Sequence, residues 1–80
     1  MNINMNYELA KSVLLTQNHN HPSMTEAANF VASDVSLCRR IADEANLAIT
    51  AVVIWGLVQI NYPDGWAFVA PLNDQSMLVH

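Results

Sequence analysis

The sequence predicts an α+β fold in which about three short helices pack on a small antiparallel sheet. Apolar residues recur at helical spacing in the first half of the chain, whereas β-branched and aromatic residues dominate the second half. Between two apolar runs of that second half stands Pro63-Asp64-Gly65, a sequence typical of a tight hairpin turn. Because 80 residues hold one small core, we expect a single domain over residues 1–80.

The helices are predicted at residues 6–17, 24–32 and 35–46. Each segment carries apolar residues on one side, as a helix packed on a sheet requires. The residues expected on the inward-facing side are Tyr7, Ala10, Val13, Leu14 and Gln17 in the first helix, Ala27, Ala28, Phe30 and Val31 in the second, and Leu37, Cys38, Ile41, Ala42 and Ala45 in the third.

Local signals indicate where these helices begin and end. Ser23 and Glu26 have the spacing of a capping box, which predicts the start of the second helix. Asn46 tolerates the left-handed conformation that ends many helices, so it is the expected end of the third.

The strands are predicted at 49–62 and 66–71, joined by the Pro-Asp-Gly turn. Gly56 interrupts the first of these runs and predicts a bulge if the strand is not continuous. Met77-Leu78-Val79 is expected to add a short strand or to dock on the domain. The pairs expected across the hairpin are Tyr62 with Trp66, Ile60 with Phe68, and Val58 with Ala70.

Composition excludes several classes of protein. Hydrophobic residues make up 52% and charged residues 12% of the chain, which is the reverse of a disordered sequence. The net charge of −4, with three cations, predicts no binding to nucleic acid. The apolar run Leu47–Ile60 is too short for a membrane span, so no membrane association is expected. A single cysteine, with no secretory signal at the N-terminus, predicts a cytoplasmic location.

No residue set predicts an enzyme, a metal site or a cofactor. His19, His21 and His80 match no defined zinc spacing. Cys38 lies on the apolar side of its predicted helix, where a free thiol behaves as a small buried hydrophobe. Two glycines are too few for a phosphate-binding loop.

The candidate binding residues are Trp55, Leu57 and Val53. In a continuous strand they share the face opposite to the one that packs on the helices. A domain of this size has few residues left to cover a second face, and an exposed Trp–Leu patch marks a protein interface. The alternative is that a bulge at Gly56 turns these side chains into a two-sided core.

We therefore expect a small non-enzymatic regulator or inhibitor that acts by binding protein, as a homodimer or in a larger complex. Phage-type inhibitors of bacterial defence complexes exemplify this class. The apolar patch would dock, and an acidic rim around it would select a basic partner. An alternative binding surface lies on the helix at 35–46, where Arg39–Asp43 and Arg40–Glu44 have the spacing of ion pairs.

A second hypothesis is a winged helix-turn-helix transcriptional regulator. Residues 25–46 would form the helix-turn-helix, and the β-hairpin would form the wing. Arg39 and Arg40 would then contact DNA from a helix in the major groove. The carboxylates of Asp43 and Glu44 on that same helix argue against this hypothesis.

Overall fold

The computed structural model describes residues 4–73 and confirms the α+β fold. In this part of the chain three helices precede a three-stranded antiparallel sheet, whose strands lie in sequence order. The predicted segment Met77-Leu78-Val79 lies outside the described residues. The elements are α1 (Tyr7–Leu15), α2 (Met24–Ala32), α3 (Val35–Ala45), β1 (Thr50–Ile54), β2 (Leu57–Asn61) and β3 (Ala67–Pro71).

Side-chain caps set the ends of α1 and α3. Asn6 Oδ1 accepts a hydrogen bond of 2.9 Å from the Leu9 amide, and Asp34 Oδ1 accepts one of 3.1 Å from the Ser36 amide. These bonds satisfy amide groups that have no partner within the first turn of a helix. Asn46 ends α3 in the left-handed conformation, with φ 53°, as its sequence position predicts.

The predicted capping box of α2 is wrong. The Ser23 side chain makes no capping hydrogen bond, because its backbone (φ −102°, ψ 9°) lacks the extended conformation that this bond requires. His21 takes part instead, since its Nδ1 accepts a hydrogen bond of 3.0 Å from the Ser23 amide. One of the candidate metal-ligating histidines thus has a local structural role.

The core lies between the helices and one face of the sheet. Helix α2 contacts β1 and β2, and it also packs against both α1 and α3. Its buried Ala27 and Ala28 are small, which allows neighbouring backbones to approach closely. Tyr62 joins the two layers, because its hydroxyl donates a hydrogen bond of 2.8 Å to the Leu14 carbonyl at the end of α1. The largest fully buried side chains are Leu14, Met24, Ile41, Ile60, Val31, Val58 and Cys38.

The hairpin between β2 and β3 has the predicted turn and register. The Tyr62 amide donates to the Trp66 carbonyl over 3.1 Å, and the Gly65 amide donates to the Tyr62 carbonyl over 3.1 Å. Gly65 has φ 97°, a region that favours glycine. The pairs Ile60 with Phe68 and Val58 with Ala70 are those expected from the sequence.

Gly65→Val is expected to lower the free energy of unfolding by about 1–3 kcal/mol, because a β-branched residue is strained at positive φ. An added Cβ would meet no atom within 4 Å, so steric overlap does not contribute. Urea denaturation of the variant measures the loss. Gly65→Asn should lose less, since asparagine tolerates positive φ better. Equal stability of Gly65→Val and the wild type would contradict this account of the turn.

The prediction of one long strand at 49–62 is wrong. The segment forms two strands, β1 and β2, joined by a two-residue turn at Trp55 and Gly56. Both turn residues have positive φ, 56° and 76°, which is the signature of a type I′ turn. The chain reverses at Gly56, where a bulge in a continuous strand was the expected interruption.

This turn also changes which side chains share a face. Ile54 pairs with Leu57, so these two residues point to the same side of the sheet. Val53 pairs with Val58, which is buried against the helices. The expectation that Val53 shares the face of Leu57 is therefore wrong.

Candidate protein-interaction surface

The face of the sheet that points away from the helices is apolar and exposed. We call it the outer face and define it by Val52, Ile54, Trp55, Leu57, Gln59 and Val69, which together line a groove of about 230 Å³. Ile54 is 55% exposed, Val69 51% and Leu57 45%. A contiguous exposed set of this kind marks an interaction site more often than single exposed apolar residues do.

Trp55 stands at the tip of the hairpin between β1 and β2. Its side chain is 95% exposed and adds almost nothing to the core. Its backbone has φ 56°, a conformation in which asparagine, aspartate or glycine is favoured in a type I′ turn. Neither packing nor turn geometry therefore accounts for a tryptophan at this position.

The three predicted binding residues do not lie together as expected. Leu57 lies on the outer face, and Trp55 lies beside it in the turn. Val53 points to the helical side, although it is 38% exposed near the end of its strand. Sequence reasoning missed Val52 and Ile54, because the assumed continuous strand assigned the residues of β1 to the wrong faces. It also did not single out Val69, although the confirmed register of β3 places Val69 on the outer face.

The sheet carries no charge. None of the residues in the three five-residue strands is ionisable. The charged residues of the described chain lie on the helices and their caps, except for Asp64 in the turn at the far end of β2 from Trp55. Within residues 4–73, therefore, the structure shows no acidic rim around the apolar patch, in contrast to the expectation.

The alternative helix surface is occupied by a cluster of internal contacts around Glu44. The Tyr7 hydroxyl donates a hydrogen bond of 2.6 Å to Glu44, Lys11 Nζ lies 3.1 Å away and Arg40 Nε lies 3.2 Å away. The Arg40 guanidinium also lies 4.0 Å from the centre of the Tyr7 ring. The cluster links α1 to α3, and no local sequence pattern predicts that Tyr7 and Lys11 take part in it.

Only one of the two predicted ion pairs is present. Arg40 pairs with Glu44, whereas Arg39 and Asp43 are both exposed and form no salt bridge with each other. Of the four residues of the predicted surface, Arg40 and Glu44 thus form an intramolecular ion pair, whereas Arg39 and Asp43 are exposed to solvent.

The Glu44 cluster predicts a dependence of stability on pH. The hydrogen bonds from Tyr7, Lys11 and Arg40 lower the pKa of Glu44 to about 2 from the ordinary value of 4.5. Between pH 2 and pH 4.5, Glu44 is therefore protonated to a greater extent in the unfolded chain than in the folded chain. The contribution of the Glu44 cluster to the free energy of unfolding is complete above pH 4.5 and is lost as the pH falls toward 2.

Denaturation of the wild type and Glu44→Gln at several pH values tests this prediction. We expect the wild type to be more stable at neutral pH and the difference to shrink below pH 4.5. Asp43→Asn is the control, because it removes a neighbouring carboxylate that is outside the cluster. A difference between the wild type and Glu44→Gln that does not vary with pH would contradict the assigned role of Glu44.

Cys38 is poorly placed for catalysis. It is 2% exposed, and its thiol lies 3.9 Å from the Ile49 carbonyl as a weak donor. Burial raises the pKa of Cys38, which opposes formation of the nucleophilic thiolate.

The histidines form no cluster within the described residues. The His19 ring contacts Trp66 edge-on, with ring centres 5.7 Å apart. Over residues 4–73 no group of three histidine, cysteine or acidic side chains could hold a metal ion, and His80 lies outside this range. In the same range no helix is long and apolar enough to cross a membrane.

Helices α2 and α3 differ from a helix-turn-helix in their connection. Only Ser33 and Asp34 separate them, whereas the motif has a turn of about three to four residues. Arg40, one of the two candidate DNA contacts, is held by Tyr7 and Glu44.

We expect no measurable binding to duplex DNA near physiological salt, because the chain has only three Lys and Arg residues to contact phosphates and its net charge is −4. Fluorescence anisotropy with a labelled random-sequence duplex tests this expectation. A salt-sensitive complex that the double variant Arg39→Ala, Arg40→Ala loses would support the DNA-binding hypothesis instead.

Comparisons with protein families, characterised proteins and solved structures found no match to this chain. The functional assignment therefore depends on the geometry of the outer face and on the chemistry of its residues.

Proposed function

We propose that this protein is a small non-enzymatic regulator or inhibitor that acts by binding protein, and that the outer face is its binding surface. The observation that supports this proposal most strongly is the position of Trp55. A tryptophan that is 95% exposed, in a turn position that favours asparagine or glycine, contributes to binding rather than to folding. Tryptophan is also the residue type most enriched among the side chains that dominate binding energy at protein interfaces.

The groove beside Trp55 supports a protein partner. Its volume of about 230 Å³ is below the roughly 300–1,000 Å³ that is typical of small-molecule sites. Its lining is aliphatic apart from Trp55 itself and Gln59. These features suit an apolar side chain of another protein better than a polar metabolite.

Site-specific photo-crosslinking in the cells that express the protein naturally tests this function. A photoreactive phenylalanine derivative at position 55 is expected to form a protein adduct, because position 55 would lie inside the interface. The control places the same group at position 36, since Ser36 is exposed on α3 away from the sheet. Mass spectrometry identifies the adducts. If position 55 forms no protein adduct, or only those that position 36 also forms, the proposal is wrong.

A further inference from the structure

We infer that the chain which covers the outer face is a second copy of this protein, so that two sheets pack face to face around a two-fold axis. This inference depends on the proposed function, because it assigns an occupant to the same surface. In such a dimer each copy contributes the same set of residues, and Trp55 of one copy lies against the groove of the other.

The distribution of charge favours a second copy. A chain with net charge −4 repels itself wherever acidic surfaces meet. The outer face has no ionisable side chain, and most carboxylates of the described chain lie on the helical side. Face-to-face packing therefore brings the two uncharged surfaces together and keeps the acidic helices on opposite sides of the dimer.

The same distribution argues against a strongly basic partner. A basic surface that docked on the outer face would lose hydration at its cations, and none of the six residues that define this face supplies a carboxylate to pair with them. An uncharged apolar surface is a better complement, and a second copy presents that surface.

The available apolar area approaches what a stable dimer needs. The five apolar side chains of the outer face expose on the order of 500 Å² per copy. Two copies would thus bury on the order of 1,000 Å² from these side chains alone, and the neutral rim adds to this. Stable interfaces begin at about 1,200 Å² in total. The rim residues that the register places on this side of the sheet are Thr50, Asn61, Ala67 and Pro71.

Known sheet geometry is compatible with this arrangement. Two antiparallel sheets pack about 10 Å apart when side chains from both faces interdigitate. The outer face offers branched aliphatic residues on all three strands, with the groove between them. The helical layers then form the two outer surfaces of the dimer.

Analytical ultracentrifugation of the purified full chain tests the inference. At about 100 µM, where a complex with a micromolar Kd is nearly complete, we expect a species of twice the 8.9 kDa of one chain. Val69→Lys should raise the dimer Kd by about 100-fold or more, because it places two like charges in the interface. Val35→Lys is the matched control, since Val35 is 57% exposed but lies on α3, and it should dimerise like the wild type.

Gln59→Lys provides a second variant if Val69→Lys does not fold, because Gln59 is already polar and exposed on the outer face. A monomeric wild type, or a dimer that both outer-face lysines leave unchanged, would overturn the inference. A monomer that still crosslinks at position 55 to a different protein would overturn the second copy and leave the proposed function intact. Absence of any specific adduct at position 55 would overturn the proposed function itself.

Discussion

Ile60→Ala is expected to lower the free energy of unfolding by about 2–5 kcal/mol, because it creates a cavity in the core. Ile60 is fully buried between the sheet and the helices. Ile54 is its matched control, since the same residue type lies on the neighbouring strand but points to the outer face and is 55% exposed. Ile54→Ala removes the same atoms and should lower stability by well under half as much, because those atoms are largely solvated in the monomer.

Urea denaturation of the two variants at low protein concentration measures this difference, since dilution keeps self-association from adding to stability. Similar losses for Ile60→Ala and Ile54→Ala would mean that both faces of the sheet are covered within one chain. The outer face would then be ordinary core, as the two-sided alternative holds.

Trp55→Ala is expected to weaken protein binding by about 30-fold or more, which corresponds to a loss of about 2 kcal/mol at an interface hot spot. The fold should persist, because the side chain is 95% exposed in the free chain. Dilution isothermal calorimetry measures the dimer Kd, and direct titration measures the Kd for any partner that crosslinks at position 55.

Trp55→Asn separates binding from folding at the same position. Asparagine suits the positive φ of the type I′ turn, so this variant should be at least as stable as the wild type while it binds as weakly as Trp55→Ala. If Trp55→Ala unfolds the chain, or binds as tightly as the wild type, the role assigned to Trp55 is wrong.

Much of the fold could be predicted from local signals. The helical spacing located α1, α2 and α3 to within about two residues, a margin usual for helix ends. Pro63-Asp64-Gly65 identified both the turn and the register of β2 with β3, because that turn has the residues its geometry requires.

The turn at Trp55 and Gly56 could not be recognised in the same way. Gly56 is the local signal in this segment, and a single glycine within an apolar β-branched run predicts a bulge as readily as a turn. Type I′ turns usually have asparagine, aspartate or glycine at the position that Trp55 occupies. Trp55 therefore makes the turn hard to recognise from the sequence, and it is also the residue that we assign to binding.

The Glu44 cluster is a second feature that could be predicted only in part from the sequence. The pair Arg40–Glu44 follows from spacing along one helix. The contributions of Tyr7 and Lys11 depend on how α1 packs against α3, and residues more than thirty positions apart give no local signal of such a contact.

Methyl NMR of the full chain tests the central claim most directly. Signals of Val52, Ile54, Leu57 and Val69 are recorded as the pure protein is diluted, and again after addition of any partner that crosslinks at position 55. We predict that these outer-face methyl groups shift together on binding, while the exposed Val35 methyl groups on α3 do not. Shifts confined to the helices, with an unchanged outer face, would contradict the claim that the sheet binds protein.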